Sequence, residues 1–276
     1  MIVKAKNKLI SRVIQSNYFR KEIIKYSEIL IKNEKIKEDL KFFKGLKNKH
    51  LDKPAFVIGN GPSLKIEDLN RLVGQLTIAS NKIYLAFGRT KWTPTYFTVI
   101  DNLLWPKIKN LIPSEISEVL IPEYLDYKEC TKPTRLFKHN KGCLDLIGAQ
   151  SAIENYDMDG FFAGYTVTIE NIQLAMLLGA NPIYLLGLDH NYKEETNVKE
   201  GVPIVNKSDS NHFIEGYRSV GEVVNPAPLK QMSESYEILN EVAVKKGFKI
   251  INISRESKLT AFERGDIEKV FDKYGL

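Results

Sequence analysis

From Pro54 onward, short apolar runs recur along the chain, separated by stretches with helical spacing. AFVIG (55–59), LTIAS (76–80), YFTVID (96–101), EVLIP (118–122), PIYLLGLD (182–189) and FKIINI (248–253) read as strands. They are continuously apolar and do not alternate. That is the pattern of strands in a parallel sheet covered on both faces. Helical stretches fall between several of them, at 63–73, 167–179 and 228–246. Alternating strands and helices predict a doubly wound α/β domain. In such a sheet, ligands bind at the carboxyl ends of the strands, so the residues that follow each strand are the place to look for chemistry.

The first fifty residues follow a different pattern. Leu9, Ile10, Val13 and Ile14 recur at helical spacing among Lys4, Lys6, Lys8 and Arg12, and a second run holds Ile23, Ile24, Ser27, Leu30 and Ile31. Two readings stand side by side: helices that pack on the main domain or on a second copy of the chain, and a helical segment lying on a membrane surface. No Gly/Ser linker and no internal repeat is visible. The stretch GLKNKHLDKP (45–54) marks the expected boundary between a helical segment, 1–50, and a catalytic domain, 51–276.

Charge sharpens this division. The formal net charge is +6, yet residues 1–50 hold fourteen Lys and Arg against five Asp and Glu. The remainder is slightly acidic. A nucleic-acid site would surround itself with basic groups. Basicity gathered on an appendage suits an anionic bilayer better, so no nucleic-acid partner is expected. With 276 residues, 43% of them hydrophobic, one large core is affordable. No apolar run is long enough to cross a bilayer, and MIVKAKNKLI lacks the features of a signal peptide. The two cysteines, Cys130 and Cys143, have no metal-ligand spacing and fit free thiols in a reducing compartment. The expected location is cytoplasmic, at the inner face of the cell membrane.

The strand ends are unusually polar. The first ends in Gly59-Asn60-Gly61-Pro62-Ser63, the second in Ser80-Asn81, the third in Asp101-Asn102, and that at 182–189 in Gly187-Leu188-Asp189. Each could be a turn or cap residue. Together at one rim they could form a site. Gly59 and Gly61 allow close backbone approach to a ligand, and Pro62 could open a helix whose N-terminus faces a phosphate. Neither GxxxxGK[ST] nor a full GxGxxG is present, since Leu64 occupies the third glycine position. Of the four histidines, His50, His139, His190 and His212, the last two fall near this rim, and an imidazole can serve as a general base. Asp157-Met158-Asp159 is a DxD that reads as a turn or as a metal and diphosphate ligand. HExxH, paired CxxC and GxSxG are absent. No metal site is therefore expected and no cofactor is required, with Mg2+ an option.

These stretches resemble a known group. FVIGNGPSLK (56–65), ASN (79–81), LLGANPIYLLGLDHNY (177–192) and SNHFIEGY (210–217) are similar to the bacterial sialyltransferases of glycosyltransferase family 42. They also resemble the wider MptE-like or DUF115 group, which includes flagellin-glycosylation accessory factors. The resemblance spans roughly residues 54–255. It implies a Rossmann-like domain that binds a CMP-sugar, with a lid-like segment at about 190–228, and transfer with inversion. By the same resemblance Asn60, Gly61, Ser63 and Asn81 line the CMP site. Thr166 matches the threonine of a TSG motif, whereas Val167 and Thr168 depart from its Ser and Gly. Tyr192 is the candidate for a hydroxyl on the departing phosphate, one residue later than the family's aromatic. His212 matches the family's base.

Three functions remain open at this point. The first is an inverting transferase that moves sialic acid, another nonulosonate or Kdo from CMP to a glycan or glycolipid. The second is a pterin diphosphokinase using ATP and magnesium, for which Asp101, Asp189 and Asp157 are the available ligands. The third is a non-catalytic glycosylation accessory protein. Homo-oligomerisation is compatible with each.

Overall fold

The computed structural model describes residues 17–140, 160–192, 202–208 and 210–276. The Asp157–Asp159 motif, Cys143 and the first apolar stripe, at residues 9–14, lie outside the described residues. An eight-stranded sheet forms the centre. Its strands are β1 (Ala55–Ile58), β2 (Thr77–Ser80), β3 (Tyr96–Thr98), β4 (Val119–Pro122), β5 (Thr134–Phe137), β8 (Ile183–Leu186), β11 (Ile250–Asn252) and β12 (Glu263–Arg264). The order is β12-β11-β8-β1-β2-β3-β4-β5 and every pairing is parallel. Outside this sheet, β6 (His139–Asn140) pairs with β7 (Phe161–Phe162) and β9 (Ile204–Val205) with β10 (Val223–Val224). All six expected strands are present in this Rossmann-like α/β sheet. β5 and β12, at its two edges, were not expected. TRLF and ER are too short and too polar to stand out as apolar runs.

The apolar runs are explained by the two faces. Val57, Ile78 and Leu185 point into one core and Phe56, Ile58, Ala79 and Leu186 into the other. The first core is closed by α4 (Val167–Leu177) and α5 (Leu229–Lys245), the second by α6 (Ile267–Tyr274) with the shorter α2 (Ile66–Arg71) and α3 (Trp105–Ile108). Every residue of α4 from Thr168 to Leu177 is buried, so the helix shows no polar face.

The chain begins to be described in one 30-residue helix, α1 (Asn17–Leu46). Near its C-terminal end Phe43 and Leu46 enter the first core, where Phe43 meets Phe137 and Phe161 edge-on. Asp39, 1% exposed, accepts from the Leu136 N–H at 2.8 Å and pairs with Lys35 and Arg135. This end of α1 thus covers the open edge at β5, which would otherwise invite pairing with another strand. Further toward the N-terminus Ile29, Leu30 and Ile31 are exposed. Among the described residues no helix is long and apolar enough to cross a membrane.

One element differs from expectation in a way that bears on the site. The helix expected at 63–73 begins only at Ile66. Pro62 does not open it. Residues 61–64 make a turn, with the Leu64 N–H on the Gly61 carbonyl at 3.1 Å, and Asp68 draws the Lys65 N–H into a cap at 3.0 Å. The Asp68 carboxylate is in turn gripped by Arg255 at 2.6 and 2.8 Å. The helix start therefore sits away from the glycine turn.

Candidate active site

The sheet order reverses between β1 and β8, since the chain runs outward from β1 to β5 and returns to β8 on the other side of β1. The crevice at such a switch point is where open α/β sheets bind ligands. Here it is bounded by the turn after β1 and the turn after β8. The two are locked together. The Gly61 N–H donates to the Gly187 carbonyl at 2.9 Å and the Ser63 N–H to Asp189 Oδ2 at 3.0 Å. A Cβ on Gly59 would lie 2.4 Å from the Gly187 oxygen, and one on Gly61 would lie 2.0 Å from Asp189 Oδ2. The glycines are thus demanded by the chain's own second turn, not by a ligand alone.

A cleft of about 150 Å³ opens from this crevice. Gly59, Asn60, Gly61 and Pro62 form one wall; Gly187, Asp189 and Tyr192 form another. Asn81, Asp101, Thr166, Thr168 and His212 complete the set. Of the residues expected to bind nucleotide or to act in catalysis, Ser63 alone does not line the cleft, and it works from behind by orienting Asp189.

Buried oxygens concentrate here. Asn60 donates its amide to the Ser80 carbonyl at 3.3 Å, which leaves Asn60 Oδ1 buried with no partner. Asn81 Oδ1 and Asp189 Oδ1 are in the same state. Each such atom costs about 1–3 kcal/mol, so three in one crevice call for donors from a ligand. Asp189 is 5% exposed, and burial raises its pKa against the opposing pull of Ser63. Asn81 adopts φ 60°, a left-handed conformation that asparagine tolerates better than most residues.

Cations stand across from these oxygens. Lys82 donates to the Tyr217 carbonyl at 2.6 Å and lies 3.8 Å from Glu222. Arg218 lines the cleft beside it. His212 stacks flat on Tyr217, with ring centroids 3.8 Å apart. Burial, Arg218 and Lys82 push its pKa down to about 3, so the ring is neutral at physiological pH. Its neighbour Phe213 donates its N–H to the Asn60 carbonyl at 3.1 Å, which ties the 210s loop onto the glycine turn. His190 is held differently, with Nε2 2.8 Å from Ser233 Oγ and its pKa lowered by burial.

Two expected residues hold the local backbone as well as forming wall. Thr166 is the N-cap of α4, accepting from the Thr168 N–H at 3.4 Å. The N-terminal end of α4 thereby faces the cleft, a favourable place for an anion. Asp101 Oδ1 accepts from the N–H groups of Leu103 and Leu104 and from Asn225 Nδ2, at 2.8, 3.0 and 2.9 Å.

The cleft continues into a second chamber of about 620 Å³, which shares Asn81, Asp101, Thr166, Tyr192 and Arg218 with the first. Its wall holds a pair that sequence reading passed over. His139 lies on β6 (His139–Asn140), which pairs with β7 (Phe161–Phe162). Gln173 of α4 fixes β7 by accepting from the Phe162 N–H and donating to the Phe162 carbonyl, at 3.1 and 3.0 Å. That brings His139 Nε2 to 2.8 Å from Glu170 Oε1. No local signal joins two residues 31 apart in sequence. Lys82 was more legible, since it directly follows Asn81 at a strand end.

Comparison with known families adds one finding. The model of the family described as 6-hydroxymethylpterin diphosphokinase MptE-like matches residues 27–195. The chain belongs to this family. No curated protein matches it. The matched part of this MptE-like chain holds the glycine turn, Asp101, Thr166, the His139–Glu170 pair and Asp189, and it ends before His212.

Proposed function

We propose that this MptE-like chain is an inverting glycosyltransferase that uses a CMP-activated sugar. The observation that carries this reading is the crevice itself: three unpartnered buried oxygens, on Asn60, Asn81 and Asp189, close to Lys82 and the N-terminal end of α4. The oxygens suit the amino and hydroxyl hydrogens of a nucleoside. The cation and the helix end suit one phosphate. The resemblance of GNGPSL, LGLD and SNHF to family 42 sialyltransferases supports the same donor.

In this reading an acceptor hydroxyl oxygen attacks the anomeric carbon and the bond from that carbon to the phosphate oxygen breaks. CMP leaves with the bonding pair. His212 takes the hydroxyl proton and Tyr192 donates a hydrogen bond to the departing phosphate. The pKa of about 3 describes His212 without ligand. Burial is the largest cause of that low value; a phosphate beside Lys82 and Arg218 offsets the two cations that add to it and so raises the basicity of the ring.

The second reading, a pterin diphosphokinase, rests on the description of the family. Magnesium would have to be held by the oxygens that Asp101 and Asp189 leave over, with Asp157 outside the described residues. Asp101 Oδ1 already takes three N–H donors and Asp189 Oδ2 takes one. Among the described residues no three His, Cys, Asp or Glu side chains are grouped to hold a metal ion.

A thermal-shift series with CMP, CDP, UDP, GDP and ATP, each with and without magnesium, separates the two readings. CMP without metal is expected to stabilise the fold by about 2.7 kcal/mol at a hundred times its Kd. A shift with ATP and magnesium but none with CMP would overturn the transferase reading.

The acceptor of such an enzyme is a cell-surface glycan or glycolipid, and we place the protein at an anionic bilayer through residues 1–50. Their basic excess contributes about 1 kcal/mol for each Lys or Arg near the surface, and salt screens it. In vesicle co-sedimentation the full chain is expected to bind phosphatidylserine vesicles at low salt and to detach as salt rises. Binding indifferent to salt, or equal binding to neutral vesicles, would count against this placement.

A further inference from the structure

We propose that the second chamber is a subsite for the acceptor and that the His139–Glu170 pair recognises the hydroxyls of a saccharide there. This rests on the transferase reading for its name as acceptor site, but the geometry stands apart from it. His139 and Glu170 have side chains 4% and 1% exposed and meet at 2.8 Å. That contact uses one nitrogen and one oxygen. His139 Nδ1 and Glu170 Oε2 remain buried with no partner, and both residues line the chamber. Unsatisfied polar atoms are rare in native interiors, and they concentrate where a ligand supplies the missing partner.

With Nε2 donating to the carboxylate, Nδ1 carries a lone pair and Glu170 Oε2 carries another. Hydroxyls of a saccharide can donate to these two atoms, one at each end of the pair. A simple structural pairing of β6 to α4, beside the Gln173 link from α4 to β7, would account for the contact between the residues but would leave both remaining atoms unexplained.

Aromatic surface completes the subsite. Tyr124 packs against the His139 ring with centroids 5.1 Å apart. Tyr165 lines the same chamber, is 43% exposed, and is held at φ 61°. A tyrosine in that conformation is strained, and such strain collects at ligand-binding positions. A ring presented in this way covers the apolar face of a sugar while the polar pair reads its edge. Tyr192 and Arg218 border both chambers, so a sugar here lies next to the donor.

The test is saturation-transfer NMR on the full chain with the methyl glycosides of galactose, glucose and N-acetylglucosamine, with and without CMP. At least one glycoside is expected to bind the wild type. Glu170→Gln keeps the size and the His139 contact but replaces an acceptor with a donor or weakens it, and is expected to lower that affinity tenfold or more. The CMP thermal shift should not change. Tyr165→Ala alters an exposed residue and is expected to lower glycoside affinity in the same direction, which keeps the test open if Glu170→Gln folds poorly. Failure of all three glycosides to bind, or equal binding by the folded variants, would overturn the proposal. So would binding of 6-hydroxymethylpterin that displaces no sugar and is lost in Glu170→Gln, because the chamber would then take a heterocycle. A wild type that binds glycoside but shows no CMP shift would leave this subsite standing and remove the donor reading instead.

Discussion

Gly61→Val is expected to give a protein that melts at lower temperature and no longer responds to CMP. The first Cβ alone would sit 2.0 Å from Asp189 Oδ2 and 2.8 Å from the Gly187 carbonyl oxygen. Asp189 cannot simply swing aside, because its Oδ2 holds the Ser63 N–H and the carboxylate is 5% exposed. Overpacking of this kind costs about 1–3 kcal/mol for small groups, and a branched side chain adds to that. The displaced carboxylate would also take its unpartnered oxygen out of the crevice, so binding and stability should fall together. Gly59→Ala is expected to be destabilising for a related reason. Its obstacle is the Gly187 carbonyl at 2.4 Å, and that carbonyl is held by the Gly61 N–H. Gly45→Ala is the control: it lies in α1 with nothing within 4 Å of a built Cβ, and should be neutral or stabilising by about 0.5–1 kcal/mol. Thermal melts with a CMP titration check all three. A Gly61→Val protein with a normal melt and a normal CMP shift would mean that the two turns are not packed as described.

The glycine turn also shows how far sequence reading reaches. Uninterrupted apolar runs such as AFVI and IYLL revealed the parallel sheet, because both faces of those strands are buried. The rim rule then brought Gly59–Pro62, Asn81 and Asp189 into one cleft. What remained hidden was partnership. Nothing near Gly61 in sequence says that its neighbour is Asp189, 128 positions on. The start of α2 was misplaced because Pro62 is a good helix opener, while the cap is made instead by Asp68 under the grip of Arg255. β5 escaped notice because TRLF opens with two polar residues and holds only two apolar ones, and its burial depends on α1 folding back over it through Asp39, Phe43 and Leu46. The His139–Glu170 pair needed β6, β7 and α4 to be assembled first. Long-range pairs of this kind leave no periodicity or spacing to read.

Asp189→Asn is expected to make the protein more stable at neutral pH and worse at binding nucleotide. Burial raises the Asp189 pKa above its ordinary value of 3.8, so the folded state favours the protonated acid relative to the unfolded chain. The stability that this preference contributes is fully present below the unfolded pKa. It is lost as pH rises through the raised folded pKa. At pH 7 the wild type therefore folds with a carboxylate that burial opposes, and asparagine removes that charge while its oxygen still accepts the Ser63 N–H. The variant should melt above the wild type at pH 7, and the difference should shrink as pH falls toward 3.8. Binding moves the other way. Asp189 Oδ1, unpartnered in the crevice, would be replaced by an amide that can only donate. Loss of a hydrogen bond to a charged acceptor costs about 1.5–3 kcal/mol, which is roughly a 10- to 100-fold weaker Kd for CMP. A residue whose replacement stabilises the fold but weakens the ligand is held in place by function, since activity is often bought with local instability. Melting curves across pH 4–8 with a CMP titration at each pH check both halves. A variant less stable than the wild type at pH 7, or one that binds CMP equally well, would show that Asp189 serves only to join the two turns.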